Sequence, residues 1–219
     1  MKPLHSWNVT PDQATRLQER LRERLIIENG FPGIKRIGGA DVGYSRDGSR
    51  LLGTMVVLSF PEMELLDVAT SFGKVPFPYV PGLLSFREGP ILIETFKKLR
   101  VKPDAMIFEG QGIAHPRGFG IASHLGLWLN LRSIGCTKNP LVKNFLPPAL
   151  WRGSFEWIQE DGKRVGAVLR TRERVKPVFV SPGYRIDLNT SIEIILAACP
   201  KFRIPEPLRQ AHRLTRLIA

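Results

Sequence analysis

Three apolar runs joined by two tight turns, followed by short apolar segments alternating with longer helical ones, constrain this chain more than any other feature. The runs span 34–44, 51–60 and 63–72, with Ser45-Arg46-Asp47-Gly48-Ser49 and Pro61-Glu62 between them. Such turn residues between strand-like segments predict antiparallel hairpins. A Pro/Gly-rich stretch, 75–82, then leads into helix 85–99, strand 105–108, helix 120–131 and strand 133–137. Helix–strand alternation adds parallel strands by right-handed crossovers. The expected fold is therefore α/β, a mixed sheet of three antiparallel strands with parallel additions, covered by helices.

The ends of the chain fit this plan. A helix is predicted over 11–28, with Thr10 as N-cap, Pro11 in the first turn, Leu17, Leu21 and Leu25 on one side, and Asn29-Gly30 as its stop. Beyond a Pro-broken loop (140–148), the segments 151–159 and 164–170 read as a hairpin around Asp161-Gly162. A strand at 177–180 and helices at 188–198 and 205–218 follow. With no repeat and no linker, one domain over 1–219 is expected.

Charge narrows the partner. The formal net charge is +12, and residues 1–96 contribute none of it, having eleven basic and eleven acidic side chains. Segment 161–219 carries twelve basic residues against five acidic. Segregated positive charge is the footprint of a polyanion, because neutralised phosphates release counterions. Nucleic acid is the expected partner. No apolar stretch approaches membrane length, and the first residues show neither an apolar core nor a cleavage site. Cys136 and Cys199 lack metal-type spacing and read as buried thiols in a reducing compartment. A cytoplasmic monomer is expected.

Two carboxylates stand where carboxylates are unfavourable or useful. Asp41 lies inside the small-residue strand Gly38-Gly39-Ala40-Asp41-Val42-Gly43-Tyr44. A buried charge there needs a partner, a cleft or a metal. Glu109 ends the apolar strand Ala105-Met106-Ile107-Phe108, and strand ends are where open α/β sheets build ligand sites. Converging, the two would form a hard-oxygen site suited to Mg²⁺. Glu88, in Arg87-Glu88-Gly89-Pro90, is a third candidate, although the first turn of a helix favours an acid on dipole grounds alone. His115 follows a Gly-rich turn, His212 sits among basic residues, and Lys138 follows a short strand; no zinc spacing occurs. Tyr79, held between Pro78 and Pro81, offers a stiff aromatic suited to stacking on bases.

The motifs Ala40-Asp41-Val42-Gly43-Tyr44-Ser45, Pro78-Tyr79-Val80-Pro81-Gly82-Leu83-Leu84-Ser85-Phe86-Arg87-Glu88, Gly110-Gln111-Gly112-Ile113-Ala114-His115-Pro116-Arg117, Ala122-Ser123-His124-Leu125-Gly126 and Val180-Ser181-Pro182-Gly183 strongly resemble endonuclease V. The resemblance covers nearly the whole chain. It implies an RNase H-like fold and Mg²⁺-dependent cleavage, with Mn²⁺ as a substitute, of the second phosphodiester bond 3′ to deaminated bases such as hypoxanthine. The products it implies are 3′-hydroxyl and 5′-phosphate ends, and the activity is DNA repair. It assigns Asp41, Glu88 and Glu109 to the metal. It makes Tyr79 a strand-separating wedge and places Gly82, Leu84, Gly110, Gly112, Gly120 and Ile121 at the lesion-base pocket. His115, Lys138 and His212 fall around the cut phosphate. The family pattern has aspartate before Gly-Gln-Gly, where this chain has Glu109. The longer side chain moves its carboxylate out by roughly 1.5 Å. A catalytically impaired inosine-binding protein is the alternative this opens, and RNA remains an alternative substrate because no residue here reports on a 2′-hydroxyl.

Overall fold

The computed structural model describes residues 3–28, 33–142 and 145–216. Strands β1 (Arg36–Tyr44), β2 (Arg50–Ser59) and β3 (Leu65–Lys74) form the expected antiparallel meander. β4 (Ala105–Glu109) pairs parallel with β1, and β5 (Arg132–Thr137) parallel with β4. β6 (Phe155–Glu160), β7 (Lys163–Leu169) and β8 (Val178–Tyr184) complete one eight-stranded sheet in the order β3-β2-β1-β4-β5-β8-β7-β6. Helices α1 (Pro11–Arg22), α2 (Leu84–Lys98), α3 (Ile121–Leu129), α4 (Leu188–Ala197) and α5 (Glu206–Thr215) flank it. This is the RNase H-like mixed sheet that the resemblance implied.

The core divides along the two faces of the sheet. Met55, Val57, Met106 and Phe108 pack with Ile91 and Leu125 beneath α2 and α3. Val56, Leu58, Ile107, Ile134 and Val180 pack with Leu208 and Ala211 beneath α4 and α5. Cys136 and Cys199 are buried, free thiols in that second layer. Among the described residues no helix is long and apolar enough to cross a membrane.

Several boundaries differ from the sequence reading. α1 stops at Arg22, before the expected stop at Asn29-Gly30, which lies outside the described residues. Beyond it Leu25 packs against the cluster around Tyr184, and the Ile26 carbonyl accepts from the Arg185 amide at 2.7 Å. The helix itself closes with a tightened last turn, the Arg24 and Leu25 amides donating to the Leu21 and Arg22 carbonyls at 3.0 Å. β6 begins at Phe155, four residues later than expected, because Trp151–Ser154 turns through Gly153 at φ +90. β8 runs on through Pro182, where periodicity predicted an end near Val180. The ladder with β5 shifts register between Ser133 and Ile134, and such an irregularity accommodates a residue that lacks a donor.

Candidate active site

Glycine positions the first carboxylate. Alternation along β1 places Gly39, Asp41 and Gly43 on one face. A Cβ at Gly39 would meet the Pro207 carbonyl carbon at 2.3 Å, and one at Gly43 would meet the Thr215 carbonyl oxygen at 2.5 Å. The bare backbone therefore lets α5 lie directly on β1, carrying two of its side chains onto Asp41. His212 Nδ1 stands 2.8 Å from Asp41 Oδ2, and the Thr215 hydroxyl donates to the same oxygen at 3.3 Å.

The parallel register sets the second. Ala40 pairs with Phe108, so the next residues along, Asp41 and Glu109, stand side by side where the β1–β4 ladder ends. Burial raises the proton affinity of Glu109; the Lys138 and His212 charges oppose the shift and the Asp41 charge adds to it.

Glu88 arrives from the opposite side. It is the fifth residue of α2, beyond the first turn, so the helix dipole does not account for it. The Tyr44 hydroxyl donates to Glu88 Oε1 at 2.8 Å and accepts from Arg87 Nε at 3.2 Å. Arg87 also donates to the Phe77 carbonyl, tying this helix to the Tyr79 loop. Burial, aided by the negative charges of Asp41 and Glu109, pushes Glu88 up to about 8 despite the Tyr44 bond.

Asp41, Glu88 and Glu109 line one cavity of about 70 Å³, closed by Ala40, Leu84, Leu92, Phe108 and Ile121. Neighbouring carboxylate charges that add to the raised proton affinities of Glu88 and Glu109 in a small, oxygen-lined space form the environment a hard divalent cation relieves. Among the described residues no three His, Cys, Asp or Glu side chains stand as a preassembled ligand cluster. The fit is one of donor type and placement.

A larger cavity of about 250 Å³ shares the Leu84 and Ile121 wall. Tyr79, Gly82, Gly110, His115 and Gly120 line it as well. Tyr79 is 73% exposed at its rim. His115 belongs to this pocket and not to the acid cavity. Its Nδ1 accepts from the Arg117 amide at 3.1 Å, which leaves Nε2 to donate to the Gly82 carbonyl at 3.0 Å. Burial and the Arg117 charge depress His115 to about 4, so the ring is neutral and braces the loop around Gly82. Gly112 is absent from the lining. A Cβ there would meet the Pro182 oxygen at 2.0 Å, so this glycine serves close packing against β8.

Sequence reasoning missed several residues here. Gln18 donates to the Gly82 and Phe119 carbonyls and accepts from Arg117 Nε at 2.6 Å, and it lines the pocket from α1. No motif marks it. Tyr44 and Arg87 lay inside quoted motifs, yet only the tertiary structure shows that Arg87 donates to Tyr44 and Tyr44 to Glu88.

The endonuclease V family profile matches residues 19–213. The chain belongs to the endonuclease V family. Endonuclease V of Dictyoglomus turgidum is 49% identical over 201 residues, covering 92% of this chain and 87% of its own. The crystal structure of Streptomyces avermitilis endonuclease V superposes with a TM-score of 0.92 at 40% identity, over 97% of this chain and 94% of that one. Ciona intestinalis endonuclease V, solved in complex with a 24mer DNA containing an inosine followed by a ribo-adenosine, gives 0.83 at 30% identity, over 94% and 96%. Family membership marks the chain as a nuclease.

Proposed function

We propose that this protein is a divalent-metal-dependent endonuclease that cuts nucleic acid on the 3′ side of a deaminated base such as hypoxanthine, at the second phosphodiester bond, leaving 3′-hydroxyl and 5′-phosphate ends. The observation that carries the proposal is the pair of adjoining cavities: one lined by Asp41, Glu88 and Glu109, the other apolar, glycine-walled and rimmed by Tyr79. A base extruded from its stack fits the second while its backbone crosses the first. The inosine-containing DNA on the Ciona relative supports this substrate class.

Asp41, Glu88 and Glu109 would hold Mg²⁺ or Mn²⁺, which supplies an activated water and stabilises charge on the leaving oxygen. His212 and Thr215 orient Asp41, and Tyr44 orients Glu88. Lys138 stands beside Glu109, where a cation faces the cut phosphate. Tyr79 separates strands at the lesion.

Glu109 sustains a second reading, binding without turnover, because it stands where the family pattern has aspartate and its carboxylate reaches roughly 1.5 Å farther out. The deciding experiment incubates the purified protein with matched inosine and adenine duplexes and with inosine RNA, in Mg²⁺, Mn²⁺ or EDTA. Nicks confined to inosine strands with metal support the endonuclease. Inosine-selective binding without nicks in either metal selects the second reading, and indifference to inosine defeats both.

A further inference from the structure

The strand directions carry a surface that the cutting site does not use. β4 ends at Glu109 and β5 ends beside it at Thr137. Thr137 pairs with Phe179 at the start of β8, Val178 pairs with Leu169 at the end of β7, and Leu169 pairs with Phe155 at the start of β6. The described residues 138–142, 145–154 and 170–177 therefore connect strands along the same edge as the acid cavity. Four strand spacings separate β4 from β6, a span of about 19 Å.

One buried charge fixes these loops to each other. Arg170 is 6% exposed and donates to the carbonyls of Pro148, Ala149 and Val175. The Arg174 amide donates to the Leu150 carbonyl at 2.8 Å, with Arg174 held at φ +56, a left-handed conformation uncommon for a side chain of its size. On this braced platform Trp151 is 64% and Leu150 59% exposed. Arg172, Arg174 and Lys176 are exposed beside them, against the single acid Glu173. A large aromatic kept in water among surplus cations has the chemistry of a nucleic-acid stacking site.

We propose that Trp151, with Arg172, Arg174 and Lys176, forms a secondary platform for a single strand of the substrate nucleic acid, about 19 Å across the sheet from the strand that ends in Glu109. The inference rests on the nuclease reading above and extends its footprint. Trp151 stacks on a base and the three cations neutralise phosphates. The platform raises affinity for substrates with a long enough flank and leaves the chemistry untouched.

The test measures fluorescence anisotropy in EDTA with single-stranded inosine oligonucleotides of about 8 nucleotides and about 24 nucleotides, the longer extended on the 5′ or on the 3′ side. Trp151→Ala should weaken one of the extended probes at least about 5-fold, and Trp151→Phe should restore most of the loss. Replacing Arg172, Arg174 and Lys176 with glutamine should flatten the salt dependence by about 0.7 per lost phosphate contact on the same probe. The short probe should bind every variant like the parent protein. Wild-type affinity of Trp151→Ala for both extended probes overturns the proposal, as does an equal loss on short and long probes. Adenine probes separate the two readings. Absence of inosine preference on the short probe refutes the lesion pocket, while the Trp151 length effect stands or falls independently of it.

Discussion

Glu88→Gln removes the titratable proton from the acid cavity while keeping the side chain's size and the Oε1 that accepts the Tyr44 proton at 2.8 Å. The folded protein holds Glu88 near 8 against an ordinary 4.5. Between those values the folded state binds more protons than the unfolded state, so stability falls as pH rises through the window and is level outside it. Each pH unit is worth about 1.4 kcal/mol, which gives at most about 3 kcal/mol by pH 7, a ceiling because the carboxylate is partly open to the cavity. Glutamine carries no such dependence. Urea unfolding in EDTA should show the variant gaining on the parent protein as pH rises from about 5 to about 7.5. Added Mg²⁺, which favours the ionised carboxylate, should shrink or reverse that gain by mass action, while the variant loses nicking. A stability difference independent of pH would refute the claim that burial and like charge, unrelieved by a cation, set the state of this site.

Three further outcomes follow from the same geometry. Glu109→Asp, which draws the carboxylate back by roughly 1.5 Å, should raise the nicking rate by up to about 10²-fold; an equal or slower rate means the site is built around the longer side chain. Gly39→Ala forces a Cβ onto the Pro207 backbone and should cost about 1–3 kcal/mol in urea while lifting His212 and Thr215 from Asp41, and parental stability and rate would contradict that account. His115 is neutral when folded, so its contribution is complete above 6.5 and is lost as pH falls from 6.5 toward about 4. The stability advantage of the parent protein over His115→Asn should therefore narrow on acidification, and a constant gap would show that His115 titrates normally.

The antiparallel meander, the alternating second half and the placement of Glu109 at a strand end were legible in the chain, because periodicity and turn residues act locally. So was Asp41: a carboxylate amid small residues announces a close approach or a ligand. The bounds of α1 and β8 were not, since a tightened last turn in α1 and a register shift opposite Pro182 override local preference. Glu88 was named as a candidate, and its place as the fifth residue of α2 removes the helix-dipole alternative that the sequence left beside it.

Motif residues divide by what the fold brings against them. Gly112 and His115 belong to neighbouring motif positions, yet one packs on β8 and the other braces the Gly82 loop. Composition and pattern determined the sheet, the acids and the polyanion partner. Only the tertiary structure decided that α5 rests on Gly39 and Gly43, that Tyr44 holds Glu88, and that the loops of five strands share one edge. Those outcomes depend on strand register and helix contact between residues up to 174 positions apart, distances over which a linear chain carries no local signal.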